Sequence, residues 1–241
     1  MRVAVMSDIH GFSLALDTVR ADLEEQGPFD EIVVAGDICV VGPDPQGVVE
    51  RLRETNWTVV QGNTDYDLVE AAEWATGIED LGYWVDNLTD DAMNYVAMLP
   101  FSHRITPPGG TSPAHELLIV HANPHNLTDQ LHPKATDREL REVIGDEQAG
   151  TIAFGHVHIA YIRHVAGTML VDVSAVGNPK DKDLRCKYGI LNWDANTQRW
   201  TAEIRRLDYP LEETEAQIRA SDMPNPEKVI KKLKKASYSD A

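Results

Sequence analysis

Cysteine is scarce in this chain of 241 residues, which contains only Cys39 and Cys186 and no C-x-x-C motif. Two cysteines cannot build a disulfide framework, and they give no indication of secretion. Long hydrophobic runs are absent, and the N-terminal MRVAVMSDIHG is too short for the apolar core of a signal peptide. We therefore expect a cytoplasmic protein without a membrane partner.

Basic residues are also few, with 22 lysines and arginines against 39 aspartates and glutamates, which gives a net charge of −17. Such a negative field repels nucleic acids and anionic lipids, so we expect no duplex nucleic acid partner. The one exception is the basic stretch KVIKKLKKA at residues 228–236. We interpret it as the cationic, solvated end of a helix, because lysines near a helix C-terminus complement the helix dipole.

Strands and helices alternate in the first part of the chain. The segments RVAVMSD, EIVVAGD and WTVVQGN have the apolar, β-branched character of buried strands. Between them lie two segments of helical character, SLALDTVRADLEEQ and PDPQGVVERLRET. This order predicts parallel strands in a sheet that is covered on both faces.

The remainder of the chain changes character twice. Residues 66–99 are predicted to be mainly helical. From residue 101 onwards strands follow at short spacing, with one helix at DRELREVIG and a hairpin turn at DANTQ. Helices are predicted again from about residue 210. No linker rich in proline, glycine or serine divides the chain, so we expect a single domain over residues 1–241 with two sheets.

Side chains of metal-ligand type follow several of these strands. They are two carboxylates, one amide and four imidazoles: Asp8, His10, Asp37, Asn63, His121, His156 and His158. Sites in open α/β sheets form just beyond the carboxyl ends of strands, so these residues can meet in one crevice. If the chain stays extended, Asp8 and His10 point to one side, as do His156 and His158. Gly155 allows another group to approach the backbone closely.

The chemistry of this ligand set indicates two metal ions. A set of oxygen and nitrogen ligands without a thiolate suits Mn²⁺, Fe, Zn²⁺, Co²⁺ or Ni²⁺ and not a structural zinc. Seven side chains are more than one ion needs. Two ions roughly 3.5–4 Å apart clamp the attacking and leaving oxygens of a phosphoryl displacement. The set therefore predicts a dinuclear site for phosphoester chemistry.

The ordered motifs D-x-H, G-D, G-N, H and G-H-x-H, spread over residues 8–158, resemble those of the calcineurin-like metallophosphoesterase family. The later SAVGNP resembles a glycine-rich turn of the same family. The resemblance is nearest to small bacterial and archaeal phosphodiesterase-like members. It implies an α/β fold, a four-layer α/β/β/α sandwich of two mixed sheets flanked by helices, with a dinuclear metal site at the C-terminal ends of strands.

The resemblance also implies roles for the ligands and a choice of metal. Two divalent ions are implied, Mn²⁺ first, with Fe, Zn²⁺, Ni²⁺ or Co²⁺ as alternatives. The implied ligands are Asp8, His10 and His158 for one ion, Asn63, His121 and His156 for the other, and Asp37 as the bridge between them.

The activity implied is a phosphodiesterase, in which a hydroxide bridging the metals attacks phosphorus in line. The substrate would be a small phosphoester, for example a nucleotide-derived one. A phosphomonoesterase or a protein phosphatase is the alternative, although the chain lacks the long insertions of protein phosphatases. A non-catalytic metal-binding scaffold on the same fold is a further alternative. The complete ligand set favours the enzyme.

The chain departs from the family pattern at one catalytic position. Many members have G-N-H-[DE], with a histidine that protonates the leaving group, whereas Thr64 stands here. A threonine cannot act as a general acid near neutral pH. His125 is a candidate for that role or, with Asn63, for substrate binding; an ordinary loop histidine is an equally supported interpretation. Asp65 is expected to cap the following helix and not to bind metal.

Overall fold

The computed structural model describes residues 1–74 and 81–237. Within these ranges the strands are β1 (Arg2–Met6), β2 (Glu31–Val34), β3 (Thr58–Val59), β4 (Ser102–Ile105), β5 (Leu117–Val120), β6 (Thr151–Phe154), β7 (Tyr161–Val165), β8 (Thr168–Asp172), β9 (Cys186–Asp194) and β10 (Arg199–Leu207). The helices are α1 (Ser13–Gln26), α2 (Pro45–Arg53), α3 (Asn63–Trp74), α4 (Gly82–Asp86), α5 (Asp90–Ala97), α6 (Asp137–Ile144), α7 (Leu211–Ala220) and α8 (Pro226–Lys235), with a 3₁₀ turn at Pro113–His115.

The first sheet has the strand order β10-β9-β1-β2-β3. β1 pairs in parallel with β2, and β2 with β3, which confirms the prediction from the β-α-β-α-β order. The predicted hairpin at DANTQ is also confirmed, because β9 and β10 pair antiparallel with Asp194 opposite Arg199. This hairpin returns to the first sheet, where β9 lies antiparallel to β1.

The second sheet has the order β4-β5-β6-β8-β7, with a parallel centre and antiparallel edges. The two sheets stack face to face, since Val5 and Val33 of the first share a buried cluster with Ile119 and Val171 of the second. Each sheet contains both parallel and antiparallel strand pairs, as expected for two mixed sheets.

Helices cover the outer faces of both sheets. Leu16 of α1 and Val48 of α2 lie in one buried cluster with Met6 of the first sheet. Leu140 and Ile144 of α6 pack against the outer face of the second sheet. Each fully buried aliphatic side chain of this kind contributes about 1.5–3 kcal/mol to folding. The predicted four-layer α/β/β/α sandwich is therefore confirmed.

The terminal helices α7 and α8 pack on the first sheet's helical layer. Ile218 of α7, and Ile230 and Leu233 of α8, are buried in the same cluster as α1. In the part of the chain that the structure describes, no helix combines the length and apolar character needed to cross a bilayer.

The carboxyl ends of β1, β2, β5 and β6 determine where the predicted ligand side chains can meet. The parallel pairing of β1 with β2, and of β5 with β6, places their carboxyl ends at one edge of each sheet. Because the two sheets are stacked, these edges lie next to each other. The segments that follow the four strands carry six of the seven predicted ligands.

Candidate metal centre

The first of two neighbouring triads consists of Asp8, His10 and His158, all of them buried. Nε2 of His158 lies 3.0 Å from Oδ1 of Asp8, and Nε2 of His10 lies 3.6 Å from the same oxygen. The two Nε2 atoms are 3.3 Å apart. These three side chains therefore direct one oxygen and two nitrogens at a common point.

The second triad consists of Asn63, His121 and His156. Oδ1 of Asn63 lies 3.0 Å from both Nε2 of His121 and Nδ1 of His156. Those two nitrogens are 3.2 Å apart. Asn63 is the first residue of α3, whereas the histidines follow β5 and β6, so three separate elements supply the triad.

Asp37 lies between the triads. Its Oδ2 is 3.7 Å from Nε2 of His10 and 3.5 Å from Nε2 of His121. Its other oxygen accepts the amide N–H of Thr64 at 2.9 Å. The carboxylate is therefore oriented so that one oxygen faces both groups of ligands.

Each of the four imidazoles uses its outer ring nitrogen for a main-chain carbonyl. The partners are Val40 for Nδ1 of His10 (2.7 Å), Ala35 for Nδ1 of His121 (2.9 Å), Asn178 for Nδ1 of His158 (2.5 Å) and Thr128 for Nε2 of His156 (3.0 Å). A carbonyl only accepts, so the outer nitrogen carries the proton and the inner nitrogen of the neutral ring presents a lone pair. Outer hydrogen bonds of this kind fix the tautomer of metal-binding histidines.

Two lone pairs that face each other at 3.2–3.3 Å repel unless a cation lies between them. Burial disfavours the charged form of His158, whose pKa is lowered, while the carboxylates of Asp8 and Asp37 outweigh burial at His10 and raise its pKa. The same contrast holds in the second triad, where burial lowers the pKa of His156 and the charge of Asp37 raises that of His121. Each pair of imidazoles therefore favours one positive charge held between its two inner nitrogens.

Asp8 provides an independent indication that the cluster fits a metal ion. Its side chain is fully buried, and Oδ1 accepts no hydrogen bond, although Oδ2 accepts the amide N–H of His156 at 2.9 Å. Burial opposes ionisation, but the adjacent imidazoles of His158 and His10 hold the pKa of Asp8 well below its usual range. An ionised carboxylate oxygen without a donor is suited to a divalent cation.

The backbone that carries the ligands is not extended, so the condition under which neighbouring ligands would point to one side is not met. β1 ends at Met6 and β6 at Phe154, before the ligands begin. Five ligand residues then adopt the left-handed conformation: Asp8 (φ 55°), His10 (53°), Asp37 (54°), His156 (65°) and His158 (59°). As a result, His156 and His158 reach different triads instead of pointing to the same side.

Gly155 permits a close approach between the segments that follow β6 and β1, as its position in the sequence predicted. A Cβ at residue 155 would lie 2.2 Å from Oδ2 of Asp8 and 2.1 Å from Oγ of Ser7. Any larger residue would therefore push β6 away from the end of β1.

Asp65 has a structural role that the sequence only partly indicated. Its carboxylate accepts the N–H of Gly62 at 2.9 Å, as expected of an acid in the first turn of α3. It also accepts the N–H groups of Asp37 (2.8 Å) and Ile38 (2.9 Å). The G-N-T-D motif indicated the contact with Gly62, because it places an acid three residues after that glycine.

Two further residues concern the general acid that the family pattern would provide. Nε2 of His125 lies 2.8 Å from the carbonyl oxygen of Ile144 at the end of α6, so the structure directs this ring at a helix terminus and not at the triads. Oγ1 of Thr64 is buried and has no hydrogen-bond partner among the described residues.

The stacked mixed sheets and the cluster of carboxylates and imidazoles together define a protein of the metallophosphoesterase class. Consistent with this, the family model for the calcineurin-like phosphoesterase superfamily domain matches residues 1–196. The chain belongs to this superfamily, which confirms the resemblance seen in its motifs.

Relatives with similar length and fold occur in bacteria and archaea. An uncharacterised protein of Methanocaldococcus jannaschii is 24% identical over 250 residues, covering 92% of this chain and 93% of that protein. A metallophosphoesterase of Sphaerobacter thermophilus has a TM-score of 0.75 and 24% identity, with 98% of this chain and all of that chain covered. A hypothetical protein of Pyrococcus horikoshii has a TM-score of 0.80 at 18% identity, with 99% of each chain covered.

Proposed function

We propose that this chain is a phosphodiesterase that works with two divalent metal ions. The observation that supports it best is the pairing of inward imidazole nitrogens, 3.3 Å apart in His10 and His158 and 3.2 Å apart in His121 and His156. Each pair favours a cation between its nitrogens, and Asp37 faces both pairs. Two cation positions that share one carboxylate are the arrangement used for in-line phosphoryl displacement.

Each side chain then has a definite task. Asp8, His10 and His158 hold one ion, and Asp37 spans the two positions. Asn63, His121 and His156 hold the other ion. When bound, the ions supply a nucleophile derived from water near neutral pH and offset the charge on the phosphoryl oxygens.

The residues around the cluster keep its ligands ready for metal binding. The carbonyl of Val40 holds His10, and that of Ala35 holds His121, each in a single tautomer. Asn63 also lies at the N-terminus of α3, where the dipole of a helix favours a phosphate. We therefore assign it to substrate binding as well.

Mn²⁺ is our first choice of metal, with Fe, Zn²⁺, Ni²⁺ and Co²⁺ as alternatives, because the ligands are carboxylate, amide and imidazole without a thiolate. We propose a small phosphoester substrate, such as a nucleotide-derived one. A cytoplasmic location is part of the proposal and is supported by two free, buried cysteines. The charge of −17 supports the absence of duplex nucleic acid binding, which a gel shift at moderate salt would test.

The test is a panel of phosphomonoesters and phosphodiesters, assayed with each divalent metal after the protein has been treated with a chelator. We expect hydrolysis of bis(p-nitrophenyl) phosphate with Mn²⁺, and none with the chelated protein. His156→Gln should abolish the activity. His164→Gln is the matched control, because His164 is an exposed residue of β7 outside the cluster.

The outcome also separates the alternatives. Faster hydrolysis of monoesters than of diesters would make the chain a phosphomonoesterase. Binding of metal without hydrolysis of any ester would make it a metal-binding scaffold and would overturn the proposal.

A further inference from the structure

A cavity of about 460 Å³ lies beside the candidate metal centre, and its walls are unusually basic for this chain. Four lysines line it: Lys180, Lys228, Lys232 and Lys235. Among the described residues that form its walls, none is an aspartate or a glutamate. In a chain with 39 acidic and 22 basic residues, such a surface concentrates positive charge against the overall field.

The cavity shares a wall with the first triad. The amide N–H of Lys180 donates to the carbonyl of His158 at 2.9 Å, and the carbonyl of Asn178 accepts from Nδ1 of the same histidine. The charge of Lys180 interacts with that of Asp8 on one side and with that of Lys232 on the other. The cavity therefore adjoins the metal centre at His158.

Acidic residues near the cavity are already paired with other bases. Asp181 lies 3.0 Å from Nζ of the buried Lys187. Glu227, at the start of α8, lies 2.7 Å from Arg219. These two carboxylates are therefore paired with bases that lie outside the cavity lining.

The helix that supplies three of the lysines is held firmly in place. Ile230 and Leu233 of α8 are buried, and Leu233 also forms part of the cavity wall. The N–H of Lys182 donates to the carbonyl of Ala236 at 2.6 Å, which ties the end of α8 to the segment that follows Lys180. The lysines are therefore presented by rigid elements, as a binding site requires.

The helix dipole does not account for this arrangement. Lysines in the last turn of α8 complement its dipole, as we expected for the basic stretch. Lys228, however, is the third residue of α8, where the dipole disfavours a cation. Its position at the wall of the cavity calls for an anionic ligand instead.

We infer that this cavity binds a second phosphate group of the substrate, distant from the ester that is cleaved; the inference rests on the proposed phosphodiesterase function. Lysine binds phosphate as a point charge. Phe12, Trp84 and Val229 provide apolar wall for the organic part of the ligand. The substrate class is thus an organic phosphodiester that carries at least one further phosphate.

The test uses two chromogenic diesters that differ only in a remote phosphate, thymidine 5′-(p-nitrophenyl phosphate) and its 3′-phosphorylated form. In the Mn²⁺-loaded chain we expect the 3′-phosphate to raise kcat/KM about tenfold or more, mainly through KM. Lys228→Ala/Lys232→Ala should remove this gain and leave the unphosphorylated diester unaffected. Lys231→Ala/Lys234→Ala is the control, because it removes the same charge from the same helix outside the cavity.

A second measurement is independent of activity. Thymidine 3′,5′-bisphosphate is titrated calorimetrically into the chelated protein, in which the carboxylates of the metal centre repel it. We expect binding that the cavity variant weakens about tenfold and that the control variant retains.

The outcomes separate this inference from the proposed function. Hydrolysis without any gain from the 3′-phosphate overturns the inference, as does an equal loss in the control variant. If neither diester is hydrolysed, the proposed function fails. Calorimetry then decides alone: binding lost only in the cavity variant supports the cavity as a phosphate site, and absence of binding overturns it.

Discussion

The main-chain N–H of Asp37 donates to the carboxylate of Asp65 at 2.8 Å, so an acid outside the ligand set holds the acid that faces both triads. The same carboxylate accepts the N–H groups of Gly62 and Ile38. It therefore joins the segment after β2 to the segment after β3. In metal sites, partners that orient a ligand in this way contribute substantially to metal affinity.

Asp65→Asn should weaken binding of Mn²⁺ about 10–100-fold, because an amide NH₂ would face main-chain N–H donors and loosen Asp37. Isothermal titration calorimetry measures the change. Asp67→Asn is the control, because it removes the same charge from an exposed position two residues further along α3. Equal losses in the two variants would reduce the role of Asp65 to long-range electrostatics.

Asp37→Asn should reduce the metal content of the chain. We expect about two Mn²⁺ per chain in the wild type, because the two triads lie on either side of this carboxylate. Elemental analysis after reconstitution and removal of free metal gives the ratio. A wild-type ratio of one that Asp37→Asn leaves unchanged would contradict a bridging role.

Thr64 should make the rate depend strongly on the leaving group. A positioned general acid contributes roughly 10²–10⁴-fold, and the side chain of Thr64 cannot supply a proton. We expect good activity on aryl diesters and much weaker activity on alkyl esters. Thr64→His should raise the alkyl rate selectively, whereas Thr64→Val, which removes a hydroxyl without a described partner, should leave the ratio of the two rates unchanged.

His125→Ala tests two roles for this histidine. The hydrogen bond to Ile144 favours a structural one, so we expect the free energy of unfolding to fall by about 0.5–1.5 kcal/mol with the ratio of alkyl to aryl rates unchanged. Urea unfolding and steady-state kinetics provide the two measurements. A loss confined to alkyl esters would instead support His125 as the general acid.

Asp172 should make the fold less stable as the pH rises. Burial raises the pKa of this carboxyl well above its usual value, and its Oδ2 has no hydrogen-bond partner among the described residues. The folded chain then holds a proton that the unfolded chain releases above about pH 3.8. From that pH up to the folded pKa, the free energy of unfolding should fall by up to about 1.4 kcal/mol per pH unit.

The Asp172→Asn variant has no carboxyl proton at this position to release. Its free energy of unfolding should therefore decrease less with rising pH than that of the wild type. Urea unfolding across a pH series, with a chelator present, gives both curves. Asp146→Asn, at an exposed position, is the control and should retain the wild-type slope. Parallel curves for the wild type and Asp172→Asn would show that Asp172 is ionised in the folded chain.

The architecture could be predicted where local patterns determine it. Alternating apolar strands and helices implied the parallel core of the first sheet, and DANTQ implied the hairpin of β9 and β10. The position of that hairpin could not be predicted, because the pattern within a hairpin fixes its own pairing but not the sheet edge it joins. Its pairing with β1 depends on contacts between residues far apart in the chain, such as Arg2 and Asn192, which are 190 positions apart.

The candidate ligands could be recognised from residue type and from their position after strands. Their backbone conformation could not, since nothing in Asp8-Ile9-His10 distinguishes an extended exit from a left-handed one. The direction of His125 depends on a carbonyl 19 residues further along the chain. The basic stretch was recognised as part of a helix, but the side of α8 that faces a cavity is decided by tertiary packing.

The left-handed conformation of Asp8, His10, Asp37, His156 and His158 has an evolutionary consequence. Each such residue with a Cβ costs roughly 1–2 kcal/mol of backbone energy that glycine avoids, against a total stability of about 5–15 kcal/mol for a typical domain. Folding alone therefore favours glycine at these five positions, whereas binding a metal ion would require the side chains that stand there. A chain freed from the second requirement could drift to glycine at any of the five and gain stability.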